Sequence, residues 1–272
     1  MNARSALFDL YGDHLRRRGD RAPVAALVRL LAPLSVAAPA VRTAVSRMVR
    51  QGWLEPERLP GGPGYALTAK AVRRLDDASA RIYRTQEQPW DGCWHLVVTR
   101  LPPERSRRDR VRAGLTFLGY AQLDDGTWLG PRWSDEVDAL LEAEQTRADR
   151  FTASHDGDTI GLVRRAWDLE GLGRSYARWH DEARSLVAVE VGAGPDGNSC
   201  SSVDERAFAA RFRLVHDWRK FLFLDPGLPR QLLPADWPGD QAADFFDTES
   251  ARLLPASTRF VDTCLSPPGG TP

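Results

Sequence analysis

The chain runs to 272 residues, 42% of them hydrophobic, with 37 basic and 37 acidic side chains. That length buries a sizeable core and points to more than one domain, and no stretch is apolar enough to span a bilayer, so no membrane partner is expected. The neutral total conceals an asymmetry: residues 1–85 hold 15 basic against 7 acidic groups, and the remainder holds 22 against 30. A basic first third on an acidic remainder suits one end of the molecule meeting a polyanion. The start of the chain lacks the basic, apolar and small-residue order of a signal peptide, so the cytoplasm is the expected compartment.

Ser5 caps a predicted helix over Ser5–Leu15, with Leu7, Phe8, Tyr11 and Leu15 on one face. Arg16–Asp20 reads as a basic turn. Pro23 suits the first turn of a second helix carrying Val24, Leu27, Val28, Leu30 and Leu31. A short connection, Leu34–Ala37, leads into the stretch Ala38–Trp53. There Val41, Val45, Met48 and Val49 make an apolar stripe, while Arg42, Thr43, Ser46, Arg47 and Arg50 lie opposite without a carboxylate among them. An ordinary solvated face mixes both signs; one of Arg, Ser and Thr suits phosphates and base edges. The bland alternative is a surface helix that happens to be basic.

The neighbours favour the first reading. Two helices joined tightly, the second with a polar outer face, follow helix-turn-helix order. Gly52 ends the helix, Trp53–Glu55 and Tyr65–Leu67 read as short strands, and Leu59–Gly64 is a glycine- and proline-rich turn. A hairpin in this place makes a winged helix-turn-helix, with Arg58 near the wing tip. On this reading Arg42, Thr43, Ser46 and Arg47 face base edges. Arg50, Arg58 and the cluster Arg16, Arg17, Arg18 face phosphates. Thr68 caps a helix over Ala69–Tyr83, with Val72, Leu75, Ala78 and Ile82 on one side, and Thr85–Pro89 reads as a linker. The expected DNA-binding domain spans residues 1–85.

A second module is expected over 90–157. Trp94–Thr99 reads as a buried strand and Arg105–Leu118 as a helix with Val111, Leu115 and Leu118 inward. Tyr120–Leu123 and Thr127–Leu129 flank the hairpin signal Asp124-Asp125-Gly126. Ser134 caps a helix to about Arg147, and Phe151–Ser154 reads as a last strand. The order β-α-β-β-α-β is that of a ferredoxin-like unit. Residues 158–265 read as a helical domain. Leu162, Val163, Ala166, Leu169 and Leu172 repeat at helical spacing, and further helices cover Ser175–Val189, Asp204–Leu224 and Asp240–Leu254. The proline-rich Asp225–Pro238 reads as a loop and Ser266–Pro272 as a disordered tail.

Catalytic signals are weak. Gly192, Gly194 and Gly197 fit G-x-G-x-x-G, but the preceding Leu186–Val191 continues a helical stripe and no βα units follow, so a helix end and glycine loop is the better reading. The five histidines are scattered, and Cys93, Cys200 and Cys264 form no C-x-x-C pair, so neither a metal site nor a disulfide framework is indicated. No catalytic residue and no cofactor is expected. A pocket for an aromatic or acyl ligand with an anionic handle is read, weakly, from Arg164, Arg165, Trp167, Arg178, Trp218 and Arg219, with Arg174, Trp179, Lys220 and Trp237 nearby in sequence. Ordinary helix packing with basic outer faces competes with it.

Five segments together resemble the PaaX family of bacterial repressors of phenylacetate catabolism: LFDLYGDHL (Leu7–Leu15), VRTAVSRMVRQGWL (Val41–Leu54), YALT (Tyr65–Thr68), RRAWDLEGL (Arg164–Leu172) and WRKFLFLDPGLPRQLLPADWPG (Trp218–Gly239). The resemblance implies an α+β multidomain chain: an N-terminal winged helix-turn-helix, a central ferredoxin-like (Cas2-like) module and a helical C-terminal effector and dimerisation domain. It also implies a homodimer that binds double-stranded operator DNA and is released by a CoA thioester such as phenylacetyl-CoA. It carries over no nuclease motif. The alternative, a metal-dependent nuclease built on the central module, needs an acidic cluster, and Asp124 with Asp125 is the only obvious pair.

Overall fold

The computed structural model describes residues 1–82, 90–192 and 202–266. The linker Thr85–Pro89, Gly194, Gly197, Cys200 and the tail after Ser266 lie outside the described residues. By contact the chain falls into two compact units, one of residues 1–85, 178–219 and 241–272, the other of 86–177 and 220–240.

The first unit begins with α1 (Ala3–Leu10), which continues through a wide turn over Tyr11–Leu15 and a tight one over Arg16–Arg18. Asn2, not Ser5, caps α1: its side-chain oxygen accepts the Ser5 amide at 2.9 Å, so the helix starts two residues earlier than expected. A three-residue strand β1 (Arg21–Pro23) precedes α2 (Val24–Leu31). It is too short to show a period in sequence, yet it pairs antiparallel with β3 (Gly62–Leu67), which also pairs with β2 (Leu54–Leu59). The sheet order is β1-β3-β2. Between α2 and β2 lies α3 (Ala38–Arg50), and after β3 comes α4 (Ala69–Ile82), capped at Thr68 as expected. Leu7, Leu10, Tyr11, Leu27, Val41, Val45, Met48 and Leu67 share one core. Phe208, Phe212, Val261 and Cys264 complete it from two later helices, α9 (Val203–Trp218) and α11 (Pro238–Leu265).

Pro255 does not end the last helix, as the sequence reading had it. The proline is exposed, so the carbonyl it leaves unpaired meets water. The continuation is held by burial of Ser257, Val261 and Cys264.

The second unit contains β4 (Trp94–Thr99), α5 (Arg105–Phe117), β5 (Ala121–Asp124), β6 (Thr127–Gly130), α6 (Glu136–Ala143) and β7 (Ala148–Ala153). The sheet order β5-β6-β4-β7, all antiparallel, is the split arrangement expected from the element order. Val97 and Trp128 pack with Val111 and Leu115 of α5 and Val137 and Leu141 of α6. The last strand begins at Ala148 rather than Phe151, and α6 stops at Ala143, because Gln145 turns the chain with a positive φ of 49°.

Two more helices correct the sequence reading. Asp158 caps α7 (Thr159–Ala166), which breaks at an extended Trp167. Asp168 then caps α8 (Leu169–Gly192), which runs unbroken where a new helix was expected at Ser175. The third expected helix divides into α9 and a short α10 (Phe221–Leu224). Because α8 is helical to Gly192, the glycine motif has no strand before it.

Candidate nucleic-acid interface

α3 divides its faces as its sequence dictates. Val41, Ala44, Val45 and Met48 are buried, and Arg42, Thr43, Ser46, Arg47 and Arg50 are exposed. Its first turn, Ala38-Pro39-Ala40, carries little side-chain bulk, and no side chain caps it. The first amides of a helix need external partners, so an uncapped first turn leaves donors for an anion. Around α3, Phe8 meets Trp53 edge to face at 5.3 Å, and the Lys70 ammonium lies 4.3 Å from the Trp53 ring. These contacts fix the residue that follows the helix.

The hairpin β2–β3 stands beside α3. Arg58 pairs across with Pro63, one step from the turn closed by Leu59 and Gly62, and is exposed. Arg42, Arg47, Arg50 and Arg58 form no ion pair or side-chain hydrogen bond among the described residues. Their charge is therefore not neutralised by another described residue.

The Arg16–Arg18 cluster behaves differently. Arg16 binds Asp20 at 2.6 Å and Asp76 at 2.5 Å. Arg18 binds Asp262 at 2.8 Å and donates to the His14 carbonyl. Only Arg17 of the three is exposed and without such a partner among the described residues. The triplet is thus mostly a brace: Asp20 nearby and Asp76 and Asp262 far along the chain compensate two of its three charges.

Sequence reasoning missed the buried polar contacts that hold α1 in place. Asp9 accepts from His216 Nδ1 at 2.5 Å and pairs with Arg219, both from the end of α9. Asp13 pairs with Arg211, which is 4% exposed and also donates to the Ser250 carbonyl at 2.9 Å. His14 is buried 3.2 Å from Asp13 and 3.5 Å from the Ser257 hydroxyl. Burial pushes its pKa down to about 3 and that of Arg211 down to about 10. The available signal is two acids four residues apart, and so on one side of the helix, within the otherwise largely apolar Leu7–Leu15.

The residues of the expected ligand pocket are divided between the two units. Arg164 and Arg165 are exposed on α7, and Trp167 stacks on Trp94 at 5.9 Å; all three belong to the second unit. Arg178, Trp218 and Arg219 belong to the first. Trp218 is a core residue, 4.6 Å from Trp179 and stacked 4.7 Å from Phe246, and Arg219 is committed to Asp9. Among the described residues no group of three His, Cys, Asp or Glu side chains is placed to hold a metal. Asp125 sits in the β5–β6 turn, 3.6 Å from Arg112, as a turn residue. No helix among the described residues is long and apolar enough to cross a membrane.

Three family models match along the chain: "PaaX-like protein" over 2–71, "PaaX protein central Cas2-like domain" over 87–160 and "PaaX-like protein C-terminal domain" over 167–263. The "Transcriptional repressor PaaX" of Escherichia coli (strain K12) is 30% identical over 266 residues, covering 94% of this chain and 82% of that protein. A solved structure, that of the uncharacterised protein Rv0674 from Mycobacterium tuberculosis, superposes with a TM-score of 0.62 at 23% identity, covering 97% of this chain and 98% of that one. That likeness bears on the fold alone.

Proposed function

The chain belongs to the PaaX family, and from that premise we propose that it is a DNA-binding transcriptional repressor of the cytoplasm, with residues 1–85 acting as a winged helix-turn-helix. The family places it with regulators rather than enzymes, and the nuclease alternative finds no support.

The observation that carries the reading is α3: an apolar face locked into the core, and an outer face of Arg42, Thr43, Ser46 and Arg47 without a carboxylate and without side-chain partners among the described residues. Such a helix enters a major groove with its polar side chains at base edges. Arg50, Arg58 and Arg17 then contact phosphates, with Arg16 and Arg18 bracing the approach. A homodimer sets two copies of α3 about 34–36 Å apart, one turn of a palindromic operator. Residues 90–157 and 158–265 form the central and C-terminal effector and dimerisation segments. A CoA thioester such as phenylacetyl-CoA favours the dimer geometry with the wrong helix spacing. It does so only through unequal affinity for the two states.

The test is operator affinity. Arg42→Ala and Arg47→Ala each weaken binding by about 1–3 kcal/mol and relax preference at one base position. Binding falls steeply with salt, each phosphate contact adding about 0.9 to the slope. Unchanged affinity and preference in both variants would sink the assignment.

A further inference from the structure

The second unit holds a concave cleft of about 1030 Å³ that none of the residues discussed as DNA or ligand contacts lines. It lies where the end of β4, the start of α5, the β5–β6 turn and the start of β7 meet. Four guanidinium groups border it, those of Arg100, Arg108, Arg112 and Arg147, against two carboxylates, Asp125 and Asp149. We infer that this cleft binds a small phosphorylated organic ligand of about nucleotide size.

The charges are arranged for an incoming anion. Arg108 is positioned by donating to the carbonyls of Pro102 and Pro103 rather than to an acid. Arg112 stands 3.6 Å from Asp125, a loose pair, and its buried Nε has no hydrogen-bond partner. Such an orphaned donor is costly unless something accepts from it. Arg100 and Arg147 are exposed, and their guanidinium groups have no partner among the described residues. Their forked donors match phosphate oxygens two at a time.

The rest of the cleft suits an organic body. Val98, Leu101, Pro102 and Pro103 give it apolar wall, and its volume is on the order of that of small-ligand clefts. The walls are anchored: the Thr99 amide donates to the Gly126 carbonyl and the Thr99 hydroxyl to the Arg147 carbonyl, each at 2.8 Å. The apolar wall of Val98, Leu101, Pro102 and Pro103 offers nothing to the charged backbone of a duplex, which favours a ligand with an organic body over nucleic acid.

The site stands independently of the repressor reading. The test is calorimetric titration of the full chain with ADP and with inorganic pyrophosphate. Wild type binds ADP measurably at millimolar concentration or below. The double variant Arg100→Ala/Arg147→Ala, with both positions exposed, keeps its melting temperature and loses more than about tenfold in affinity. Arg184→Ala, on α8, changes neither. Absence of ADP and pyrophosphate binding in wild type, or equal affinity in the double variant, overturns the proposal. So does a double variant that weakens duplex DNA binding while leaving ADP affinity intact, since the arginines are then backbone contacts.

Discussion

His14 is a titratable residue enclosed in the core. It is 1% exposed, faced by Asp13, whose charge Arg211 already answers, and by the Ser257 hydroxyl, with Arg18 and Asp262 beyond. Burial, then the Arg18 charge, lower its pKa to about 3, and Asp262 only partly opposes them. The unfolded chain takes up a proton near an ordinary histidine pKa of about 6.5, and the folded chain does not. Stability therefore falls as pH drops from about 6.5 toward about 3, by up to about 1.4 kcal/mol per pH unit from this group. Urea unfolding at about pH 7.5 and about pH 5 checks this. In His14→Gln the difference between the two conditions shrinks, while an unchanged difference assigns the acid sensitivity to other groups.

At the scale of elements, close backbone approach decides where segments stop. Gly119 follows α5 with a φ of +88°, and a Cβ there would stand 2.4 Å from the Pro226 carbonyl oxygen. Gly92 has a similar φ of +83° but open space around it. Gly119→Ala thus costs at least about 2 kcal/mol, and Gly92→Ala only the conformational share of about 1 kcal/mol. Denaturation midpoints of the two variants separate these effects, and equal losses would mean that the contact with Pro226 is slack. Elements with strong local signals were legible in the sequence: α3 from its apolar stripe, the β5–β6 hairpin from Asp124-Asp125-Gly126, α4 from Thr68. Those set by distant partners were not. β1 exists because β3 offers it a ladder, and α11 passes Pro255 because later residues are buried against α1 and α9. At the candidate interface the exposed face of α3 was readable. The diversion of Arg16 and Arg18 to Asp76 and Asp262 was not, since those acids lie far along the chain.

For the whole molecule, the contiguous domains that the sequence suggests do not coincide with the units that pack. The core under α3 draws Phe208, Phe212, Val261 and Cys264 from the far end of the chain, and Arg29 donates to the Cys264 carbonyl. Residues 1–85 produced alone therefore expose apolar surface and leave Asp9 and Asp13 without their arginines. Losing a buried charge partner costs about 3–5 kcal/mol. The isolated segment melts well below the full chain, as circular dichroism will read; equal melting would show the later helices to be dispensable. The order of synthesis acquires a meaning here. α3 is translated early, yet the residues that finish its support come last. A ribosome that stalls, or a message cut before Val261, yields a chain with α3 on an incomplete base, so only finished polypeptides present that helix at full stability.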